Sequence, residues 1–194
     1  PNLKFLNTLT INNSHQSNLE KVQIEAPSSE LKHLSISYKL CTQIKSFHID
    51  FKIYEGLETF TFENFYTAAP EEQIMDIISD LNYASPASLK SLSLILGKVN
   101  SDLITMNLGN LNSLLIFYSE ITKCANLQAA IINFASMTQL DQLSFKIAEC
   151  DQLIQVVLEP PYSDSLRALD FTIEGPRSSL LIKILPSLKL ISRI

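Results

Sequence analysis

One pattern of the sequence, Leu-x-x-Leu-x-Ile, returns at intervals of about 26 residues, and this period restricts the possible folds more than any other feature. Its copies begin at eight leucines: Leu6, Leu31, Leu57, Leu89, Leu111, Leu140, Leu166 and Leu185. A fixed period of this length is typical of a solenoid, in which each repeat packs only on its neighbours. Because a solenoid exposes a long surface, the period also directs the search for function toward that surface and away from a single pocket.

Each copy predicts one strand of a parallel sheet. The fourth and sixth positions, such as Leu34 and Ile36, lie two residues apart and therefore face the same side of a strand. The first position, such as Leu31, begins the strand and closes the same core. Neighbouring copies then pair as parallel strands joined by crossovers, which places Leu34, Phe60 and Leu92 side by side. The eight copies thus predict a curved inner sheet of about eight strands.

A weaker apolar signal halfway through several repeats predicts an outer wall behind that sheet. It occurs in five segments: Leu19-Val22-Ile24, Ile44-Phe47-Ile49, Leu103-Met106-Leu108, Leu127-Ala130-Ile132 and Leu153-Val156-Leu158. The first two alternate apolar and polar residues, which indicates short strands, whereas the later ones look helical. We therefore expect four short helices in the outer wall, at residues 102–108, 126–134, 151–158 and 178–185.

The clearest predicted helix covers residues 70–81. Pro70 occupies a first-turn position, where its missing N–H costs nothing, and Glu71 and Glu72 follow where acidic groups suit the helix dipole. Four apolar residues then make a stripe at helical spacing: Ile74, Ile77, Ile78 and Leu81.

Length and charge exclude several classes of protein. The 194 residues are predicted to form a single domain, 1–194. A net charge of −5 argues against a general nucleic-acid binder, which carries a basic stripe. Because no run of 18 apolar residues occurs, no transmembrane helix and no membrane partner are expected. Apolar copies of the pattern lie close to both ends, so we expect this chain to be a piece of a longer protein, or its ends to be capped by partners.

The three cysteines, Cys41, Cys124 and Cys150, are an odd and widely spaced set. Such a set does not indicate a disulfide scaffold, and we expect reduced, buried thiols. This expectation favours a reducing compartment, the cytoplasm or the nucleus.

The copies resemble those of leucine-rich-repeat proteins, and their length and irregularity are similar to the ribonuclease-inhibitor-like branch, which includes the repeats of F-box proteins. The resemblance implies an α/β solenoid with an inner parallel sheet and an outer wall of short strands and helices. One departure concerns the family's Asn or Cys three residues after the last Leu of the motif. This chain has other residues there: Ser14, Lys39, Phe65, Gly97, Ser119, Ala148 and Glu174. The alternative fold is a parallel β-helix, which would have strands on all sides and more Gly and Asn at its corners.

The concave side of the predicted sheet is formed by the residues that flank the core positions. Most of them are small hydroxyl residues, as expected of a solvated sheet face. Ile95, Leu115 and Phe117 are the exception, because three apolar side chains would lie together on adjacent repeats. Exposed apolar clusters often mark a contact site, although a loop could also cover these residues and make them core.

The predicted partner-binding residues are that trio together with the charged residues of the same face: Ile95, Leu115, Phe117, Glu63, Lys146 and Asp170. His33 shares this face, and we expect it to be solvated. Lys146 and Asp170 lie on adjacent repeats and could form an exposed ion pair worth less than about 1 kcal/mol.

The sequence contains no catalytic motif. Its four glycines are scattered, so no phosphate-binding loop is present. His15, His33 and His48 lack metal-ligand spacing, and no metal, cofactor or catalytic residue is predicted. We therefore expect a non-enzymatic scaffold for protein–protein interaction, either an F-box-like substrate receptor or a structural subunit of a larger complex. The alternative is a β-helix enzyme acting on polysaccharide, which would need clustered Asp or Glu, whereas the columns offer only Glu63 and Asp170.

Overall fold

The computed structural model describes residues 5–14, 21–24, 30–39, 46–65, 71–84, 86–135, 137–159, 165–174 and 181–184. These residues form a parallel-strand solenoid with two layers. The first layer, called here the main sheet, is a seven-stranded parallel sheet. Its strands are β1 (Thr8–Ser14), β3 (His33–Lys39), β5 (Thr59–Phe65), β6 (Ser91–Gly97), β8 (Ile116–Thr122), β10 (Gln142–Ala148) and β12 (Ala168–Glu174).

The predicted register of the main sheet is confirmed for the early copies. Leu34 lies opposite Phe60, and Phe60 lies opposite Leu92, so the fourth positions of three copies stack directly. All three are almost fully buried. A period of two within strands and of about 26 between them is therefore enough to place these side chains in one continuous core.

The fifth copy begins at Leu114, and the predicted start at Leu111 is wrong. In the strand register Phe117 lies opposite Leu92 and Leu143, so it occupies the fourth position of its copy. With this start, the steps to Leu89 and Leu140 become 25 and 26 residues in place of 22 and 29. The correction follows from geometry, because each turn of a solenoid must close on the hydrogen-bonding register of its neighbours.

The second layer, called here the back layer, consists mainly of strands. A two-stranded sheet pairs β2 (Lys21–Ile24) with β4 (Ser46–Ile49). A four-stranded sheet contains β7 (Leu103–Asn107), β9 (Ala129–Asn133), β11 (Gln155–Glu159) and β13 (Leu181–Ile184). The prediction of strands in the first two repeats is confirmed.

The four short helices predicted for the later repeats are wrong, since each of those segments contains a strand. Burial alternates along β7, β9 and β11, as in the pairs Ile104 and Met106 of β7 and Ala130 and Ile132 of β9. The helical prediction relied on apolar residues three and five apart, and for β9 and β11 this spacing also fits a strand preceded by a buried loop residue, Leu127 or Leu153. Their β-branched content and parallel neighbours decide in favour of strands.

The helix predicted at residues 70–81 is confirmed as α1 (Glu71–Ala84). Ile77, Ile78 and Leu81 are buried, as the predicted stripe requires. The helix belongs to the longest repeat and takes the place of its back-layer strand, between β4 and β7. Because a helix offers no backbone groups to a sheet edge, the back layer is split there into two sheets. One turn of 3-10 helix, Phe51–Ile53, precedes β5.

The core fills the space between the two layers. Aromatic pairs join the layers directly. Phe60 packs edge-on against Phe51 with ring centroids 5.0 Å apart, and Phe117 packs in the same way against Phe134 at 5.0 Å. One face of the main sheet is thereby covered by the back layer. The eighth copy, which begins at Leu185, lies outside the described residues.

Candidate interaction surface

The open face of the main sheet is the set of strand side chains that point away from the core. Its described members are Thr8, Thr10, Asn12, Ser14, His33, Ser35, Ser37, Thr59, Thr61, Glu63, Ser91, Ser93, Ile95, Ile116, Tyr118, Glu120, Gln142, Ser144, Lys146, Ala168, Asp170, Thr172 and Glu174. Along β6, β8 and β10 they alternate with buried residues, as a pleated sheet with one covered face requires.

The half of this face built on β1, β3 and β5 is polar and small. His33 Nδ1 lies 2.9 Å from the Thr59 hydroxyl on the next strand, so this histidine is held within the sheet surface. A hollow of about 300 Å³ at the carboxyl ends of these strands is lined by Asn12, Asn13, Ser14, Ser37 and Glu63. Predicted site residue Glu63 therefore borders this polar depression on one side and lies directly opposite Ile95 of β6 on the other.

The half built on β6, β8, β10 and β12 carries large side chains. Ile116 is 40% exposed, and Tyr118 follows it on the same side of β8. Ile95 lies on the neighbouring strand, diagonal to Tyr118, because its direct partner is Glu120. We call Ile95, Ile116 and Tyr118 the β8 strip. Serines flank Tyr118 on both sides, Ser93 on β6 and Ser144 on β10, so its ring lies among smaller side chains.

Only part of the predicted apolar trio lies on this face. Ile95 is there, as predicted. Phe117 is fully buried in the core between the two layers, so its predicted place on the concave side of the sheet is wrong. Leu115 precedes β8 and is half-buried at the edge of the sheet. Ile116, Tyr118 and Glu120 were not predicted for this face, although the regular steps of 25 and 26 residues from Leu89 to Leu114 and Leu140 indicate them.

Hydrogen bonds and ion pairs connect the charged residues beside the β8 strip. The Tyr118 hydroxyl donates to Glu120 Oε2 at 2.8 Å. Lys146 Nζ lies 3.6 Å from Glu120 and 3.7 Å from Glu174, so its ion pairs are with these two carboxylates and the suggested pair with Asp170 does not form. Burial, the hydrogen bond to Glu120, and the charges of Glu120 and Asp170 together raise the pKa of Tyr118 to about 12.

The open face is acidic among the side chains that the structure describes. It carries four carboxylates, Glu63, Glu120, Asp170 and Glu174, and one lysine, Lys146. Glu120 lies on β8 next to the β8 strip, whereas Asp170 and Glu174 lie on β12, separated from β8 by β10. The surface therefore combines exposed apolar and aromatic area with negative charge.

A ladder of charges runs along the edge where the strands begin. Glu58 lies 3.2 Å from Lys32 and 3.7 Å from Lys90, and Arg167 Nη2 donates to Asp141 at 2.8 Å. The hydrogen bond and charge of Lys32 lower the pKa of Glu58.

Leu115 occupies the rung of this ladder between Lys90 and Asp141, because its N–H donates to the Lys90 carbonyl and its own carbonyl accepts from Asp141 N. A charged residue of either sign at the position of Leu115 would attract one of the neighbours Lys90 and Asp141 and repel the other. A neutral residue is therefore expected, which explains Leu115 without a binding role.

A second hollow of about 210 Å³ lies where α1 meets β4. His48 Nδ1 is 2.8 Å from Asp80 Oδ2, and the same oxygen accepts from Ile49 N at 3.2 Å. Lys52 Nζ lies 3.7 Å from the ring centroid of Tyr83. Asp80 therefore joins the helix to the strand layer through bonds to the backbone and to His48, which is a structural contact.

Within the described ranges, no group of three or more His, Cys, Asp or Glu side chains is placed to hold a metal ion. Across the same residues, no helix has the length and hydropathy needed to cross a bilayer. Cys124 and Cys150 are buried free thiols that donate to the carbonyls of Thr122 and Ala148.

No family model, no curated protein and no solved structure matches this chain.

Proposed function

We propose that this chain is a non-enzymatic scaffold of the leucine-rich-repeat type that binds another protein through the open face of its main sheet. The observation that carries the proposal is the asymmetry of that sheet: the back layer covers one face, and the other presents the β8 strip and its carboxylates. Aromatic and aliphatic groups on an otherwise polar exposed face are the composition expected of a contact site.

The size of the open face supports this proposal. Seven strands spaced at about 4.8 Å make a face roughly 29 Å wide, and seven residues at about 3.3 Å each give a height of roughly 20 Å. The product, on the order of 600 Å², is close to the roughly 800 Å² that each partner contributes to a standard interface. Loops at the strand ends would supply the remaining area.

The leucine-rich-repeat assignment rests on the repeated Leu-x-x-Leu-x-Ile pattern. Left-handed residues after three successive strands support regular turns in the absence of the family's Asn or Cys. They are Lys98, Lys123 and Glu149, with φ of 56°, 59° and 55°. The strand-rich back layer is the feature that the β-helix alternative shares. Both a substrate receptor and a structural subunit of a larger complex could bind a partner through such a face. For the compartment, the reduced buried thiols favour the cytoplasm or the nucleus.

Site-specific photocrosslinking tests the proposal. A photoreactive amino acid replaces Ser93 on the open face in the full-length protein, and a control carries it at Ile154, which is 54% exposed near the start of β11 in the back layer. After irradiation in the native cells, we expect one dominant protein adduct from position 93 and much less from position 154. Adducts from position 154 alone would overturn the proposal.

An activity assay separates the polysaccharide alternative. The full-length protein would be incubated with a panel of polysaccharides, alongside the variants Glu63→Gln and Glu120→Gln. The scaffold proposal expects no chain cleavage by any of the three proteins. Cleavage that is lost in the Gln variants would instead assign a carbohydrate-active site to the open face.

A further inference from the structure

We infer that the occupant of the β8 strip is a basic segment of another protein, which inserts an aliphatic or aromatic side chain against Ile116 and Tyr118. This inference rests on the proposed function and adds the chemistry of the partner. Two independent features of the open face support it, one apolar and one electrostatic.

The apolar feature is confined to one region. On β1, β3 and β5 the described open-face side chains are hydroxyl, amide or single ionisable groups, whereas β6 and β8 contribute Ile95, Ile116 and Tyr118. Tyrosine gives large contact area at a low entropy cost, and such anchors carry most of the energy of protein interfaces. The serines on both sides of Tyr118 leave the space beside its ring available to a partner side chain.

The electrostatic feature determines the sign of the charge that the partner segment carries. Glu120 lies on β8 itself, Asp170 and Glu174 lie on β12 on the far side of β10, and Lys146 is the one cation among the described side chains of this half. Lys146 is already within ion-pair distance of Glu120 and Glu174, so it is compensated by two carboxylates. The remaining negative charge attracts lysine and arginine and repels the phosphates of nucleic acids and acidic segments.

The partner should engage both features at once. Arg and Lys carry aliphatic stems, so a basic segment can cover Ile95 and Ile116 with methylene groups while its charged ends reach Glu120 or Asp170. Arginine can also stack on the ring of Tyr118. An acidic or purely apolar segment would leave these carboxylates desolvated without a counter-charge.

The experiment selects peptides from a random phage-displayed library against the full-length protein and measures the enriched peptides by fluorescence anisotropy. We expect the enriched sequences to exceed the unselected library in Arg and Lys and to retain an apolar residue between them. Their affinity should fall several-fold when salt is raised from low to high concentration, because exposed ion pairs are screened.

Two variants test the two features separately. Tyr118→Ala should weaken binding of the selected peptide by roughly tenfold or more, as expected for an anchor. Glu120→Gln with Asp170→Asn should weaken it by roughly two- to thirtyfold, from two exposed pairs. The charge-matched control is Asp102→Asn with Asp151→Asn, which removes two exposed carboxylates away from the open face and should leave the affinity unchanged.

Each outcome decides the inference. Equal loss in both double variants would show non-specific attraction to an acidic protein and overturn it. Neutral or acidic peptides that bind the strip and are lost in Tyr118→Ala would overturn the basic partner while leaving the proposed function intact. Failure to select any peptide would also reject the basic partner, and the crosslinking experiment at position 93 would then decide the proposed function separately. Tyr118→Phe keeps the ring and should keep most of the affinity, which separates lost contact from lost folding.

Discussion

Ile116 and Phe117 are adjacent in sequence but lie on opposite faces of β8, so comparing substitutions at these two positions tests the register of this strand. Phe117 is fully buried and packs edge-on against Phe134 with centroids 5.0 Å apart, whereas Ile116 is 40% exposed. The substitutions Phe117→Ala and Ile116→Ala should therefore differ strongly in their effect on the free energy of unfolding, although they lie one residue apart.

The expected magnitudes follow from burial. Removing a fully buried phenylalanine costs about 3–5 kcal/mol through lost transfer energy and the cavity left behind. Loss of the edge-on contact with Phe134 favours the upper part of that range, since aromatic pairs add about 0.5–1.5 kcal/mol beyond area burial. The partly exposed Ile116 has less contact to lose, and we expect a cost of about 1 kcal/mol or less.

Urea unfolding measures both variants against the wild-type protein. The chain has six tyrosines and no tryptophan, so intrinsic tyrosine fluorescence and far-ultraviolet circular dichroism are suitable probes. We expect unchanged slopes with a much lower midpoint for Phe117→Ala. A difference of at least about 2 kcal/mol between the variants corresponds to roughly thirtyfold in the folding equilibrium constant.

The reverse order would refute the register of β8. If Ile116→Ala cost more than Phe117→Ala, the core positions of the fifth copy would be Leu114 and Ile116, as the repeat pattern alone suggests. Because side chains alternate along a strand, Phe117 would then be on the open face and the β8 strip as defined here would not exist.

Three further outcomes follow from buried or paired groups. Ser119 is fully buried and its hydroxyl has no hydrogen-bond partner among the described residues, so Ser119→Ala should stabilise the protein by about 1 kcal/mol, seen as a higher urea midpoint; destabilisation would contradict this account. Cys124 and Cys150 are both fully buried, so in a Cys41→Ser background a thiol-specific disulfide reagent should label the native protein very slowly and the urea-unfolded protein at once; rapid native labelling would show that the thiols are accessible. The Arg167 hydrogen bond lowers the pKa of Asp141 below its ordinary value of 3.8, so this contribution to stability is present above that pH and is lost as the pH falls through the lowered pKa. Arg167→Ala should therefore reduce the difference in urea midpoint between neutral and strongly acidic pH, and an unchanged difference would remove the linkage.

The main sheet could be predicted because its signal is redundant. Each copy places apolar residues two apart, and the same arrangement recurs at a nearly fixed interval, so Leu34, Phe60 and Leu92 are brought together by two independent periods. The helix α1 was predictable for a similar reason, because its stripe and its first-turn residues agree.

The back layer was less predictable because its segments are short. Strands such as β9 and β11 have five residues, which is too few to separate a period of two from one of 3.6. Each of these strands is fixed by parallel pairing with the next repeat and not by its own propensity, and pairing between repeats is absent from the pattern of one segment.

In the fifth copy the repeat pattern assigns the wrong residues to the open face, and the strand register shows why. Leu108, Leu111 and Leu114 are spaced by three residues, and the copy that begins at Leu111 matches the consensus better, because the copy from Leu114 puts Ser119 at a core position. Pattern matching therefore selects the wrong leucine, whereas the closure of each turn on its neighbours selects Leu114. A shift of three is odd, so it exchanges the two faces of the strand and turns core residues into surface residues. Which residues form the interaction surface therefore depends on the number of residues in each turn of the solenoid. The sequence encodes this number, but the copy that best matches the consensus gives the wrong one.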